Sequence, residues 1–314
     1  MNHTIIKAPP WFQSQMGVPG SDTPEGFRLY PDALTFYVDK GNSDCSDNND
    51  GTDPRYPFQT IQAAIDAATD NRGDLVLVSP GSYQPSEPIT LDCPGIRVLA
   101  MPTGQNPLQP EQSCSIYPAA SYTTGPMIIV EEPCELAGFT IVTRNVGAHG
   151  GAVATASASL AFDGDGGAYN GGYSWIHHCR FVDWWGGTQA GIYFFGGAYN
   201  LIEDCCFEGF AGGVQFYSGT HNPSYNTVRR CYFFDNTNGI EFIVGSTSHD
   251  HVIQENVFVD YTDAIDFNQA GGGAGDGFII GNYYETATDA ATYDCTVAQA
   301  QVIGHNFAGN HYSE

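Results

Sequence analysis

From residue 176 onward the chain repeats one short pattern six times, and that repeat limits its fold more than any other feature. An aliphatic residue is followed three positions later by Cys, Asn or His, and two positions after that by an aromatic ring. The six sets are Ile176, Cys179, Phe181; Ile202, Cys205, Phe207; Val228, Cys231, Phe233; Ile253, Asn256, Phe258; Ile279, Asn282, Tyr284; and Val302, His305, Phe307. Successive units start 26, 26, 25, 26 and 23 residues apart. A second element (Gly or Ala, aliphatic or Ala, any residue, aromatic) follows at 191–194, 213–216, 239–242, 264–267 and 290–293. It begins 11 residues into four of the units and 15 into the first, which carries a Trp-Trp-Gly-Gly insertion. A unit of this size cannot bury its own apolar side chains, so the units must stack. Stacked in register, equivalent residues fall one strand spacing, roughly 4.8 Å, apart. The rings then form one inward ladder and the Cys/Asn positions a second. The expected fold is an all-β, right-handed parallel β-helix. A leucine-rich repeat requires a Leu-dominated pattern that is absent, and a propeller blade requires a longer unit.

The same apolar spacing occurs earlier, in residues 136–141, so the shaft is expected to start well before Ile176. Residues 145–173, rich in Gly, Ala and Ser, read as an excursion from it. Residues 1–35 hold Pro9, Pro10, Pro19, Pro24 and Pro31 with the scattered aromatics Trp11, Phe12, Phe27 and Tyr30, and no sustained period. They read as an extended attachment arm, with the solenoid occupying 36–314. Composition closes other routes. Ten Lys plus Arg stand against 35 Asp plus Glu, a formal charge of -25, which argues against nucleic acid or an anionic membrane as partner. Only 14% of residues are charged while Gly contributes 38, a turn-rich balance that argues against an all-α fold. No apolar run is long enough for a membrane span and no secretory signal is evident at the N-terminus. The nine cysteines form neither a small-domain disulfide framework nor paired zinc knuckles, which suits reduced thiols in a cytoplasm.

The segments between arm and repeat carry a family likeness. Tyr37-Val38-Asp39, the turn at 44–53 with Gly51-Thr52, the run 57–68 with Ile61, Ala64, Ile65 and Ala68 at helical spacing, the strand 74–78 and the turn 80–83 come in that order before the repeats. This series resembles the pectate-lyase-like right-handed β-helix superfamily, most closely its viral (bacteriophage) virion and spike members. The resemblance implies that the short helix plugs the N-terminal end of the solenoid. It implies little about activity, because the superfamily spans lyases, hydrolases, epimerases, adhesins and virion proteins. The paired-Asp, Gly-His-Gly and Arg-Ile-Lys motifs of polygalacturonase-type members are absent; Ala148-His149-Gly150 is the nearest fragment. Lyase chemistry wants a cationic base, yet Arg229 and Arg230 are the only adjacent arginines and no Lys follows Lys40.

Within the second element, the residue between the aliphatic and the aromatic position faces outward. That column is Tyr193, Gln215, Glu241, Asp266 and Thr292. Glu241 and Asp266 on adjacent rungs would stand about 5 Å apart, the separation of a retaining glycosidase's two carboxyls. Stacked carboxylates also arise by chance on a surface with 35 acidic residues, and that reading outweighs catalysis; a calcium ion between them ranks lower still. Trp184 and Trp185, with Gln215, Tyr193, Phe195 and Tyr217, are the positions for glycan or partner contact. Segment 44–53 has oxygen ligands enough for calcium but lacks the EF-hand spacing, so an ordinary turn is preferred. Cys179, Cys205 and Cys231 are expected as buried thiols, and His177 with His178 should point to opposite faces, so no metal and no cofactor is assigned.

Two functions follow. The first is a virion structural protein (head decoration, tail or spike), made in the host cytoplasm, a homotrimer joined to other virion proteins through its arm. The second is a glycan-degrading tailspike-type depolymerase, a glycoside hydrolase or a polysaccharide lyase, with Glu241 and Asp266 as its candidate catalytic residues. The missing catalytic motifs place the structural reading first.

Overall fold

A computed structural model describes residues 32–101, 114–122, 125–143, 158–162, 171–183, 190–217, 223–243, 250–266 and 277–285, with the backbone of strands at 293–294, 302–304 and 307–309. The chain forms a right-handed parallel β-helix. One face is a 10-stranded sheet running from Thr35–Val38 through Leu75–Val78, Ile96–Ala100, Cys134–Ala137, Trp175–His177, Leu201–Glu203, Thr227–Arg229, His251–Gln254 and Gly277–Ile280 to Val302–Gly304. The remaining strands form a 15-stranded sheet folded into two limbs. Its first limb includes Phe139–Thr143, Arg180–Asp183 and Cys206–Glu208; its second includes Ile128–Val130, Ala158–Phe162, Ala190–Phe194 and Gly212–Tyr217. Two long strands, Tyr232–Ile243 and Val257–Asp266, pass around the corner between the limbs and belong to both.

The repeat drives this packing. Phe181, Phe207, Phe233, Phe258 and Tyr284 stack with ring centroids 4.9, 4.9, 4.8 and 5.3 Å apart. Phe162, Phe194, Phe216 and Phe242 make a second inner stack at 4.3, 4.8 and 5.0 Å. Leu136 pairs with Ile176, and Ile141 with Phe181, so the earlier segment is a coil of the same shaft. The stretch 145–173 is not excursion throughout: Ala158–Phe162 within it is a shaft strand, with Leu160 and Phe162 fully buried. Its Ala-Ser-Leu-Ala-Phe carries neither the opening glycine nor the Cys marker of the repeat. The shaft also starts one residue earlier than expected, since Thr35 already pairs with Leu75.

Six turns from the 10-stranded face into the first limb each carry one left-handed residue, namely Gly138, His178, Asp204, Arg230, Glu255 and Gly281, with φ from 51 to 85°. The residue after it points inward. There Asn256 accepts from Cys231 N (2.9 Å) and donates to Val228 O (3.0 Å), satisfying backbone that the corner leaves unpaired. Cys179, Cys205 and Cys231 fill the same column as free, buried thiols. The N-terminal end is closed by helix α1 (Ile61–Asp66), capped by Thr60, whose hydroxyl accepts from Ala63 N. Its Ile61, Ala64 and Ile65 are buried in the core. In the preceding acidic turn, carboxylates are spent on local structure: Asp47 accepts from Gln59 N, Thr60 N and Thr60 Oγ1.

Candidate functional site

The outer face of the second limb carries the column expected from the repeat. In register, Tyr193 lies beside Gln215, Gln215 beside Glu241, and Glu241 beside Asp266. The next member differs. Asp266 pairs with Asp294 and Ile265 with Tyr293, so the last second element sits two residues later than 290–293, and Thr292 lies outside the described residues. The pattern predicts Tyr293 at the ring position, whereas its backbone occupies the aliphatic one, opposite Ile265.

Glu241 and Asp266 are only 9% and 8% exposed, so this is not a pair of solvated surface carboxylates. Gln215 Nε2 donates to Glu241 Oε2 at 2.6 Å, and Asn238 Nδ2 donates to Asp266 Oδ2 at 3.4 Å. Burial is the largest influence on Glu241 and raises its pKa above the ordinary carboxylate value. The Gln215 amide opposes that shift, the charge of Asp266 adds to it, and Asn238 opposes it. Asn238 therefore acts on both carboxylates. It precedes the glycine of the repeat element and falls outside the four-residue pattern, which is why the sequence reading missed it.

An aromatic shelf continues the face toward the N-terminal end. Tyr193 is 4% exposed and does not project freely as expected of an outward position. Phe195, on the same side of the strand and 4.4 Å away between centroids, and Tyr217, 6.0 Å away on the next coil, fold over it. Burial raises the Tyr193 phenol, with Tyr217 and then Glu241 adding to the shift. The accessible shelf is thus made by half-buried Phe195 and Tyr217, whose rings meet edge to face at 6.1 Å. Trp184, Trp185, Trp11, Phe12, Phe27 and Tyr30 lie outside the described residues.

The 10-stranded face holds two further surprises. His177 and His178 do not point apart: the left-handed φ of 52° at His178 swings its ring back, leaving the two Nδ1 atoms 2.7 Å apart. His177 Nε2 also meets Glu135 Oε1 at 3.1 Å. Among the described residues no three His, Cys, Asp or Glu side chains are arranged to hold a metal ion. At the corner entering this face, Tyr173, Tyr199 and Tyr225 stack at 4.9 and 4.8 Å above a buried polar ladder of Ser174, Asn200, Asn226 and His251. The 26-residue spacing of those tyrosines was the available signal for them.

A family model described as "Right handed beta helix region" matches residues 156–282. Among solved structures, a pectin methylesterase in complex with a hexasaccharide is similar over 90% of this chain and 91% of its own, at 10% identity and TM-score 0.53. A pectate lyase is similar over 86% of this chain and 78% of its own, at 15% identity and TM-score 0.53. A pectin methylesterase from Erwinia chrysanthemi covers 90% and 91%, at 9% identity and TM-score 0.51. At these identities the likeness is one of fold. No curated protein sequence matches the chain.

Proposed function

We propose that the protein binds a polysaccharide along the outer face of the second limb and hydrolyses it there. The observation that carries this reading is the pair Glu241 and Asp266, nine-tenths buried on adjacent rungs and both held by amide donors. Rungs stand roughly 4.8 Å apart, close to the ~5–5.5 Å between the two carboxyls of a retaining glycosidase. Glu241, whose proton affinity is raised, protonates the glycosidic oxygen as the C–O bond breaks. Asp266 forms a bond to the anomeric carbon, and water then displaces it while Glu241 takes the proton back, so the net change is addition of one water. The Phe195–Tyr217 shelf offers apolar surface to the C–H faces of neighbouring sugars. That the similar structures include pectin methylesterases and a pectate lyase supports a polysaccharide rather than a protein ligand.

The virion-structural reading rested on missing catalytic motifs. A buried carboxylate pair with its own hydrogen-bond donors supplies chemistry that needs none of those motifs, so the enzyme is the reading carried here. The test is release of reducing ends from a panel of soluble polysaccharides. Glu241→Gln and Asp266→Asn are each expected to lower kcat by about 10²-fold or more with little change in KM. Wild-type activity is expected to fall as pH rises through the raised pKa of Glu241. Cleavage that persists undiminished in both variants would refute the assignment.

A further inference from the structure

We infer that His178 is the general base of a second catalytic site, one that hydrolyses carboxylic esters at the corner of the 10-stranded face. There Glu135, His177 and His178 form one hydrogen-bonded chain. The inference goes beyond the glycoside-hydrolase reading and uses none of its residues. Glu135 and His177 project from neighbouring coils, with side chains only 14% and 12% exposed, whereas His178 at the turn is exposed. Trp175 holds the first ring in place. Its indole stacks on His177 with centroids 3.8 Å apart, and its Nε1 donates to Glu203 Oε2 at 3.1 Å.

The proton positions follow from what each atom can accept. Burial alone would raise the Glu135 pKa, but the hydrogen bonds from His177 and Arg97 outweigh it and hold it below the ordinary carboxylate value. An ionised carboxylate only accepts, so His177 Nε2 carries a hydrogen and donates to Glu135 Oε1. Neutral His177 then has a bare Nδ1. That atom lies 2.7 Å from His178 Nδ1, a contact that requires one hydrogen and has room for one only. His178 supplies it, which leaves His178 Nε2 bare on the far side of an exposed ring. The other charges on this corner are engaged with one another. Arg230 holds both oxygens of Asp204 at 2.9 Å, and Arg229 and Arg230 pair with Glu203.

An imidazole oriented through its inner nitrogen and backed by a carboxylate is the arrangement of a general base. The adjacent Cys179 thiol points into the core and donates to His177 O, so water is the nucleophile assigned. Water oxygen bonds to the ester carbonyl carbon as one of its protons passes to His178 Nε2. The positive charge on the histidine pair is balanced by Glu135. On collapse the C–O bond to the alcohol breaks, the leaving alkoxide takes the proton from Nε2, and the net change is addition of one water. An ester suits this base because its alkoxide leaves more readily than the nitrogen of an amide.

The test has two readouts on the full chain. In ¹⁵N-histidine-labelled protein with the pair neutral, NMR is expected to find the Nε2–H tautomer at His177 and the Nδ1–H tautomer at His178. With p-nitrophenyl acetate as probe, wild type is expected to release nitrophenol at least about tenfold faster than free imidazole at the same concentration. His178→Asn, which tolerates the left-handed backbone, should abolish that excess. His177→Phe keeps a ring against Trp175 but leaves His178 without its partner, and should abolish it too. Glu135→Gln, whose amide can donate to His177 and reverse the chain, should slow cleavage and switch His178 to the Nε2–H tautomer. An Nε2–H tautomer at His178 in wild type would overturn the inference, as would cleavage no faster than imidazole or undiminished in His178→Asn.

Discussion

Glu241 illustrates how one side chain sets function against stability. Its pKa is raised on folding, so the native protein holds that proton more tightly than the unfolded chain does. The sign follows: no penalty exists below the unfolded value of ~4.3, a penalty grows as pH climbs from there, and it is complete above the folded value. Glu241→Gln is therefore expected to melt higher than wild type at pH 7, with the difference vanishing near pH 4, even as cleavage is lost. Asp74 behaves in the opposite sense. Burial alone would raise it, but the paired guanidinium of Arg72 and the N–H groups of Leu34 and Thr69 outweigh burial and lower it. Its contribution is present above the unfolded value of ~3.9 and is lost as pH falls through the lower folded one. Denaturation of Asp74→Asn against wild type should show a stability gap near neutrality that closes on acidification. In the core, Phe233 is 1% exposed and sandwiched between Phe207 and Phe258. Phe233→Ala is expected to cost about 3–5 kcal/mol in urea denaturation.

Between residues and the whole lie the coils, and there corners matter more than strands. At Gly213 a Cβ would come within 2.6 Å of Gly239 O and 2.7 Å of Phe233 Cδ1. The carbonyl cannot yield as a flexible side chain would, so Gly213→Ala is expected to lower stability by about 1–3 kcal/mol, readable as a lower melting temperature. An unchanged melting temperature would show that the limb corner can open. The same distinction explains what the sequence disclosed. Inward ladder positions must be apolar or Asn at a fixed spacing, so Phe181 through Tyr284 were legible from the pattern alone. The strand Ala158–Phe162 was not, because small residues satisfy burial there without marking the period. Nor was the meeting of His177 with His178, since alternation of side chains fails at a left-handed corner residue. For the site, the pairing of Glu241 with Asp266 was legible, but not its burial, because nothing in the repeat requires an outward position to be covered.

For the molecule as a whole, the proposals of a homotrimer and of an attachment arm meet in one experiment. Leu34 N donates to Asp74 and Thr35 begins the first strand, so a clean truncation must end before them. Removing residues 2–31 is expected to leave cooperative melting intact while sedimentation shifts from trimer to monomer; unchanged sedimentation would remove the arm from assembly. The ladders themselves carry a larger consequence. A stack of like on like is degenerate under translation: sliding one part of the shaft past another by a full coil would again set Phe on Phe and Ile on Ile. What gives each coil an address is the member that departs from its column. His251 follows Asn226, Asn256 follows Cys231, Ala264 follows Gly239, and Tyr284 follows Phe258. At Gly239 a Cβ would meet the Phe258 ring at 2.5 Å, whereas the next coil carries the Ala264 methyl at the equivalent place, so the two coils are not interchangeable one for one. The repeat makes the shaft stable, and its irregularities make it the right length.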